Sequence, residues 1–251
     1  PGPPGSLSCQ THSMAELDTP EVIAFDGDDT LWHSEVHFQA VQDRLRALAA
    51  PWLGPDELDR RLLATERANL TRYGYGVKSF ALSSLEVLLD ASDGDLPGPA
   101  IAELLTMAKG LLDHPVELLD GVIDTLDALS GRVRLVLVTK GDLFHQWCKI
   151  EASGLGPRFE TTEVVHEKDP ATYRRILDQL GVVPDRFLMV GNSPRSDILP
   201  VLDLGARAVQ VPYEVTWAHE HHEGEAHWPV LASIRDVVAY ATGVPPGSER
   251  R

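Results

Sequence analysis

Two cysteines, Cys9 and Cys148, are all that 251 residues contain. That is too few for a disulfide framework and points to a reducing, cytoplasmic setting. Long apolar runs are missing as well: nothing approaches the roughly 18 residues of a membrane span. The first twenty residues lack the basic flank and apolar core of a signal peptide. Positive charge is scarce, with 22 Lys and Arg against 38 Asp and Glu and a formal charge of −16. Such a chain repels phosphate backbones and anionic lipid, so nucleic-acid and membrane-surface partners are not expected. An anionic substrate would need a local cation to overturn that field. Oligomeric state leaves no trace in the sequence.

The remaining composition, 43% hydrophobic and 24% charged, is that of a folded globular chain. Short β-branched runs end in polar or glycine residues: Val22–Phe25, Arg132–Val138, Thr161–Val165, Phe187–Val190 and Ala206–Val211. Continuous apolar runs of this length read as strands buried on both faces, hence a parallel sheet. Helices fit between them at Val122–Leu129, Leu143–Ala152, Pro170–Leu180 and Asp197–Leu204. Asp169, Pro170 and Gly181 supply the cap, first position and stop of the third. A doubly wound α/β domain is predicted, formed by residues 19–35 and 115–245. Tails at 1–18 and 246–251 flank it. Residues 36–114 hold four apolar stripes of helical period and no convincing strand, which predicts an inserted all-helical subdomain.

Chemistry concentrates in Asp26-Gly27-Asp28-Asp29-Thr30, directly after the first apolar run. Carboxylates crowded at the C-terminal end of a buried strand are costly unless a cation sits there. That end of a parallel strand is where ligands bind, and Mg²⁺ is the economical counter-ion. The string resembles the D-x-D-x-T motif of the haloacid dehalogenase-like hydrolase superfamily. Thr139 at a strand end, Lys168 before a helix, and Gly191-Asn192-Ser193-Pro194-Arg195-Ser196-Asp197 follow in that superfamily's order. The resemblance covers about residues 20–212 and implies a Rossmann-like core with a mobile cap.

It also implies roles. Asp26 would be the nucleophile and Asp28 the general acid and base, with Lys168 completing the catalytic set. Thr139 and Lys168 would bind phosphate, Lys140 would either join them or be a solvated loop residue, and Thr30 would support the flap carrying Asp28. Asp26, the Asp28 carbonyl, Asn192 and Asp197 would hold Mg²⁺, Asn standing at 192 where many relatives carry Asp. Tyr75 and Lys78, between two cap helices, are candidates for substrate selection or simply part of a turn. The implied activity is a Mg²⁺-dependent phosphatase for a small phosphorylated metabolite, working through an aspartyl-phosphate. A 2-haloacid dehalogenase, a phosphomutase, or a catalytically weak binding protein of the same fold are the alternatives. His219, His221, His222 and His227 read better as a solvated loop than as a zinc site. Cys148 is expected to pack against the core beside Trp147 and Ile150.

Overall fold

The computed structural model of the protein describes residues 19–215 and 226–243. Its centre is β1 (Val22–Phe25), four residues with no solvent exposure. β2 (Arg134–Lys140), β3 (Thr161–Val165), β4 (Phe187–Gly191) and β5 (Arg207–Gln210) complete a sheet of order β3-β2-β1-β4-β5. Every pairing is parallel. Because side chains alternate across a strand, each run supplies both faces at once. Ile23, Phe25, Leu137 and Val190 enter one apolar cluster, while Val22, Ala24, Val138 and Met189 enter the other. The predicted doubly wound parallel sheet is therefore present.

The helices of the core are α5 (Val122–Leu129), α6 (Leu143–Ser153), α7 (Pro170–Leu180), α8 (Leu199–Leu202) and α9 (Asp236–Thr242). α5 and α7 have their expected bounds. β2 begins two residues later than expected, because the Arg132 and Val133 amides still bond to Leu129 O in the turn after α5. The helix expected over Asp197–Leu204 is divided. Pro194–Ile198 forms a π turn, and only Leu199–Leu202 is α-helical. Such a wide turn re-aims side chains and is frequent at functional sites; here it carries Asp197.

Between β1 and α5 the chain forms α1 (Glu35–Ala49), α2 (Pro55–Tyr73), α3 (Val77–Ala91) and α4 (Gly98–Leu112). These four helices bury a cluster of their own that includes Leu45, Leu58, Leu62, Leu88, Leu104 and Met107. The chain enters and leaves them side by side. His33 N donates to Glu117 O at 2.9 Å, Leu119 N donates to Leu31 O at 3.0 Å, and Trp32 bridges Leu118. Among the described residues no helix is long and apolar enough to cross a membrane. His219, His221 and His222, like residues 1–18 and 246–251, lie outside the described residues, whereas His227 is exposed.

Candidate active site

Asp26 is the first residue beyond β1, and its amide donates to Val190 O at 2.9 Å. The carboxylate faces Lys168, which follows β3 and precedes α7. Lys168 Nζ donates to Asp26 Oδ1, and to Asp197 Oδ1 at 2.7 Å. All three groups are buried. Burial pushes the Asp26 carboxyl up to about 7 against the opposing charge of Lys168, and Asp197 and Asp28 add to the rise. Burial would discharge Lys168, but Asp197 and Asp26 outweigh it and hold the ammonium charged. Removing Lys168 would strand two buried carboxylates, a loss of about 3–5 kcal/mol by the usual cost of breaking a buried pair.

Asp197 is held by its own turn. Ser193 N donates to its Oδ2 at 3.0 Å, and its amide returns a bond to Ser193 O at 2.8 Å. The carboxylate lies directly against Gly191. A Cβ on that glycine would stand 2.2 Å from Asp197 Oδ2 and 2.6 Å from its Cβ, so no side-chain rotation could relieve the clash. Gly191→Ala should therefore displace Asp197 and cost about 1–3 kcal/mol, the usual cost of overpacking. A thermal melt checks this, with an unchanged Tm arguing against the tight approach.

Asp28 has partners that the sequence did not announce. Lys149 Nζ, on α6, donates to both of its oxygens at 2.5 and 2.7 Å. Gln146 Nε2 adds a bond at 2.8 Å and Trp32 Nε1 one at 2.5 Å. Burial raises the Asp28 carboxyl, but Lys149 and these donors outweigh it and hold it below its ordinary value. Gln146, Lys149 and Ile150 lie on the inward face of α6. Trp147 and Cys148 are rotated outward and exposed, so the expected packing of Cys148 is wrong. A Gln and a Lys spaced i, i+3 after a strand ending in Thr139 were the available signal.

Asp29 has φ +61°, the left-handed region that favours glycine. Its carboxylate accepts from the amides of Ser34 at 2.9 Å and Glu35 at 3.0 Å, capping α1 in place of Ser34. Burial and the nearby Asp28 charge push it up to about 7. Thr30 Oγ1 reaches Asn192 Oδ1 at 3.5 Å. Thr139 is fully buried, and its hydroxyl has no hydrogen-bond partner among the described residues. Lys140 Nζ donates to Ser196 Oγ at 2.7 Å and lies 4.3 Å from the centroid of the Tyr75 ring.

One cavity of about 510 Å³ joins these groups to the inner surfaces of α1, α2 and α3. Asp26, Asp28, Thr139, Lys140, Lys168, Asn192, Asp197 and Tyr75 all line it. Tyr75 OH also donates to Glu167. Lys78 is not part of the wall. Its Nζ is exposed and pairs with Asp142 at 2.9 Å, tying α3 to the N-terminus of α6. Among the described residues no three His, Cys, Asp or Glu side chains converge as a metal cage. The oxygen donors at hand are two carboxylates, Asp26 and Asp197, with the Asn192 amide and main-chain carbonyls. That set fits Mg²⁺, which takes one or two carboxylates, keeps several waters, and completes its shell with substrate phosphate.

With strand-end Asp26, bridging Lys168 and turn-held Asp197 in place, the comparisons with known proteins agree. A family model described as haloacid dehalogenase-like hydrolase matches residues 20–205. The chain belongs to the haloacid dehalogenase-like hydrolases. It is 30% identical to a phosphoglycolate phosphatase of Rhodospirillum rubrum over 92% of this chain and 95% of that one. A glyceraldehyde 3-phosphate phosphatase of Methanothermobacter thermautotrophicus is 31% identical, over only 39% of this chain and 45% of the other. A solved haloacid dehalogenase-like family hydrolase from Xanthomonas campestris superposes with a TM-score of 0.79 at 36% identity, covering 88% and 90% of the two chains.

Proposed function

We propose that this hydrolase is a Mg²⁺-dependent phosphatase acting on a small phosphorylated metabolite. The observation that carries the reading is Lys168 bridging Asp26 and Asp197 beside the unpartnered Thr139 hydroxyl, in a cavity of about 510 Å³. A nucleophile, a cation and a spare donor converge where a phosphoryl group would sit, in an otherwise acidic protein. Relatives bearing phosphatase names support the same class, and the scarcity of cysteine supports a cytoplasmic setting.

In this reading an Asp26 oxygen attacks phosphorus in line, and the bond from phosphorus to the leaving oxygen breaks. Asp28 gives that oxygen a proton. Water then attacks the aspartyl-phosphate, Asp28 takes its proton, and the bond to Asp26 breaks to release phosphate. Lys168 and Thr139 bind the phosphoryl oxygens, and Lys140 stands at their edge. Asp26, Asp197, Asn192 and the Asp28 carbonyl hold Mg²⁺. When bound, the ion supplies positive charge against the charge that develops on the phosphoryl oxygens. Asp28, placed to give a leaving oxygen its proton, favours phosphoryl transfer over dehalogenation, whose halide leaves without one. The insert over residues 36–114, which holds nearly all of α1 and the whole of α2, α3 and α4, acts as a cap over core segments 19–35 and 115–245. The paired linkers at His33 and Glu117 are its hinge, and Tyr75 and Lys78 tie it down.

The test is hydrolysis of p-nitrophenyl phosphate and a panel of phosphorylated metabolites by the purified protein. Turnover should require Mg²⁺, vanish with a chelator and return when the ion is restored. No turnover of any ester, with or without the ion, overturns the reading. Asn192 offers a sharper check. Asp26, Asp28 and Asp197 face Lys168 and Lys149, so the Mg²⁺-loaded site keeps one positive charge with Asn at 192 and none with Asp. Asn192→Asp should lower the Mg²⁺ concentration for half-maximal activity and raise KM for the phosphate ester. An unchanged Mg²⁺ requirement would mean that residue 192 does not meet the ion.

A further inference from the structure

The cavity is far larger than a phosphoryl group requires. At about 510 Å³ it falls within the range that holds drug-sized ligands, roughly 300–1,000 Å³. Its far end is built by the helical insert. Phe38, Leu62, Leu63, Leu70 and Phe80 furnish apolar wall, and Glu66 of α2 lies among them. Among the described residues the Glu66 carboxyl has no hydrogen-bonding or ionic partner. Burial alone pushes it up to about 7.

The cations of the wall are differently placed, because each already has a partner. Arg46 is bound to Asp59 at 2.7 Å and Arg60 to Glu57 at 2.6 Å. Lys140 bonds to Ser196, Lys149 to Asp28, and Lys168 to Asp26 and Asp197. Glu66 is only partly exposed, so a ligand that shuts it off from water must supply the hydrogen bond it loses. A ligand bringing a donor to Glu66 gains that pairing. A ligand bringing a second anion to this end sets it against the Glu66 carboxyl.

We infer that the substrate is a phosphomonoester with an apolar body whose far end carries a hydrogen-bond donor, an amine or a hydroxyl, received by Glu66. This rests on the phosphatase reading for the phosphate end of the cavity. A compact, doubly anionic phosphoester is disfavoured, since it would leave the apolar wall unfilled and set like charges together.

The test is equilibrium binding, which needs no turnover. Four six-carbon phosphonates ending in a methyl, hydroxyl, ammonium or carboxylate group are titrated calorimetrically into the Mg²⁺-supplemented protein. The ammonium and hydroxyl forms should bind about tenfold or more tightly than the carboxylate form. A strong lead of ammonium over hydroxyl identifies an amine, and parity identifies a neutral donor. Glu66→Gln should erase the ammonium form's advantage over the methyl form, and Glu66→Lys should invert the order in favour of the carboxylate. The isosteric Gln variant is checked for an unchanged thermal melt. Equal binding of the four probes, an order unmoved by both variants, or no binding at all overturns the inference. Hydrolysis of p-nitrophenyl phosphate by the unaltered protein tests the phosphatase reading separately, so the two can fail independently.

Discussion

Asp26→Asn is expected to reduce phosphate-ester turnover by roughly 10⁴–10⁶-fold, the scale of losing a covalent nucleophile. The amide nearly matches the carboxylate in shape but is a far poorer nucleophile. The fold should survive for a reason visible in the site. Lys168 is held by two carboxylates, and the variant leaves it paired with Asp197 at 2.7 Å. It also removes a carboxylate whose own burial is unfavourable, as its raised pKa records. The melting temperature should therefore be unchanged or higher while activity collapses. Rapid-quench detection of a phosphorylated protein gives the second readout, with the acyl-phosphate signal present in the unaltered chain and absent in the variant. Residual turnover above about 1% would hand the nucleophilic step to water or to another group.

Much of this arrangement was legible beforehand, for identifiable reasons. The strands were readable because Val22–Phe25 and Phe187–Val190 are buried on both faces and so are apolar without interruption. Asp26 was readable as a carboxylate crowded at the end of such a run, and Thr139, Lys168 and Asp197 through their order in the motifs of the superfamily. What escaped was set by tertiary contact. Lys149 reaches Asp28 across 121 residues of sequence, and only the packing of α6 against β2 and β3 brings it to the loop after β1. Trp147 and Cys148 looked like the inner face of α6 because they are apolar. The helix is turned so that its polar pair serves the site instead. Glu66 could not be distinguished from the other charges of α2 until that helix was seated over the cavity. The π turn at Pro194–Ile198 was hidden because a helical period does not reveal one extra residue per turn.

Asp28→Asn should cost about 10²–10⁴ in rate, the usual worth of a general acid and base. The loss should be larger for an alkyl phosphate than for p-nitrophenyl phosphate, whose leaving group needs little help from a proton. Lys149 complicates the experiment and also sharpens it. With Asn at 28 the ammonium loses its partner inside a half-buried site, so part of any loss could arise from an unpaired cation. Lys149→Met alone removes the charge but keeps Asp28, which Gln146 and Trp32 continue to orient. In the arrangement seen here Asp28 is held ionised, so it must take up a proton before it can give one. Lys149 therefore positions Asp28 and works against its protonation. Lys149→Met is expected to cost far less than Asp28→Asn and, by easing the protonation of Asp28, to spare the alkyl ester more than the aryl one. The double variant should recover the part of the Asp28→Asn loss that the unpaired ammonium causes and keep the rest. A leaving-group dependence that follows Lys149 instead of Asp28 would transfer the proton-donating role to the lysine. Equal losses for both esters in Asp28→Asn would leave Asp28 as a structural anchor of the loop between β1 and α1.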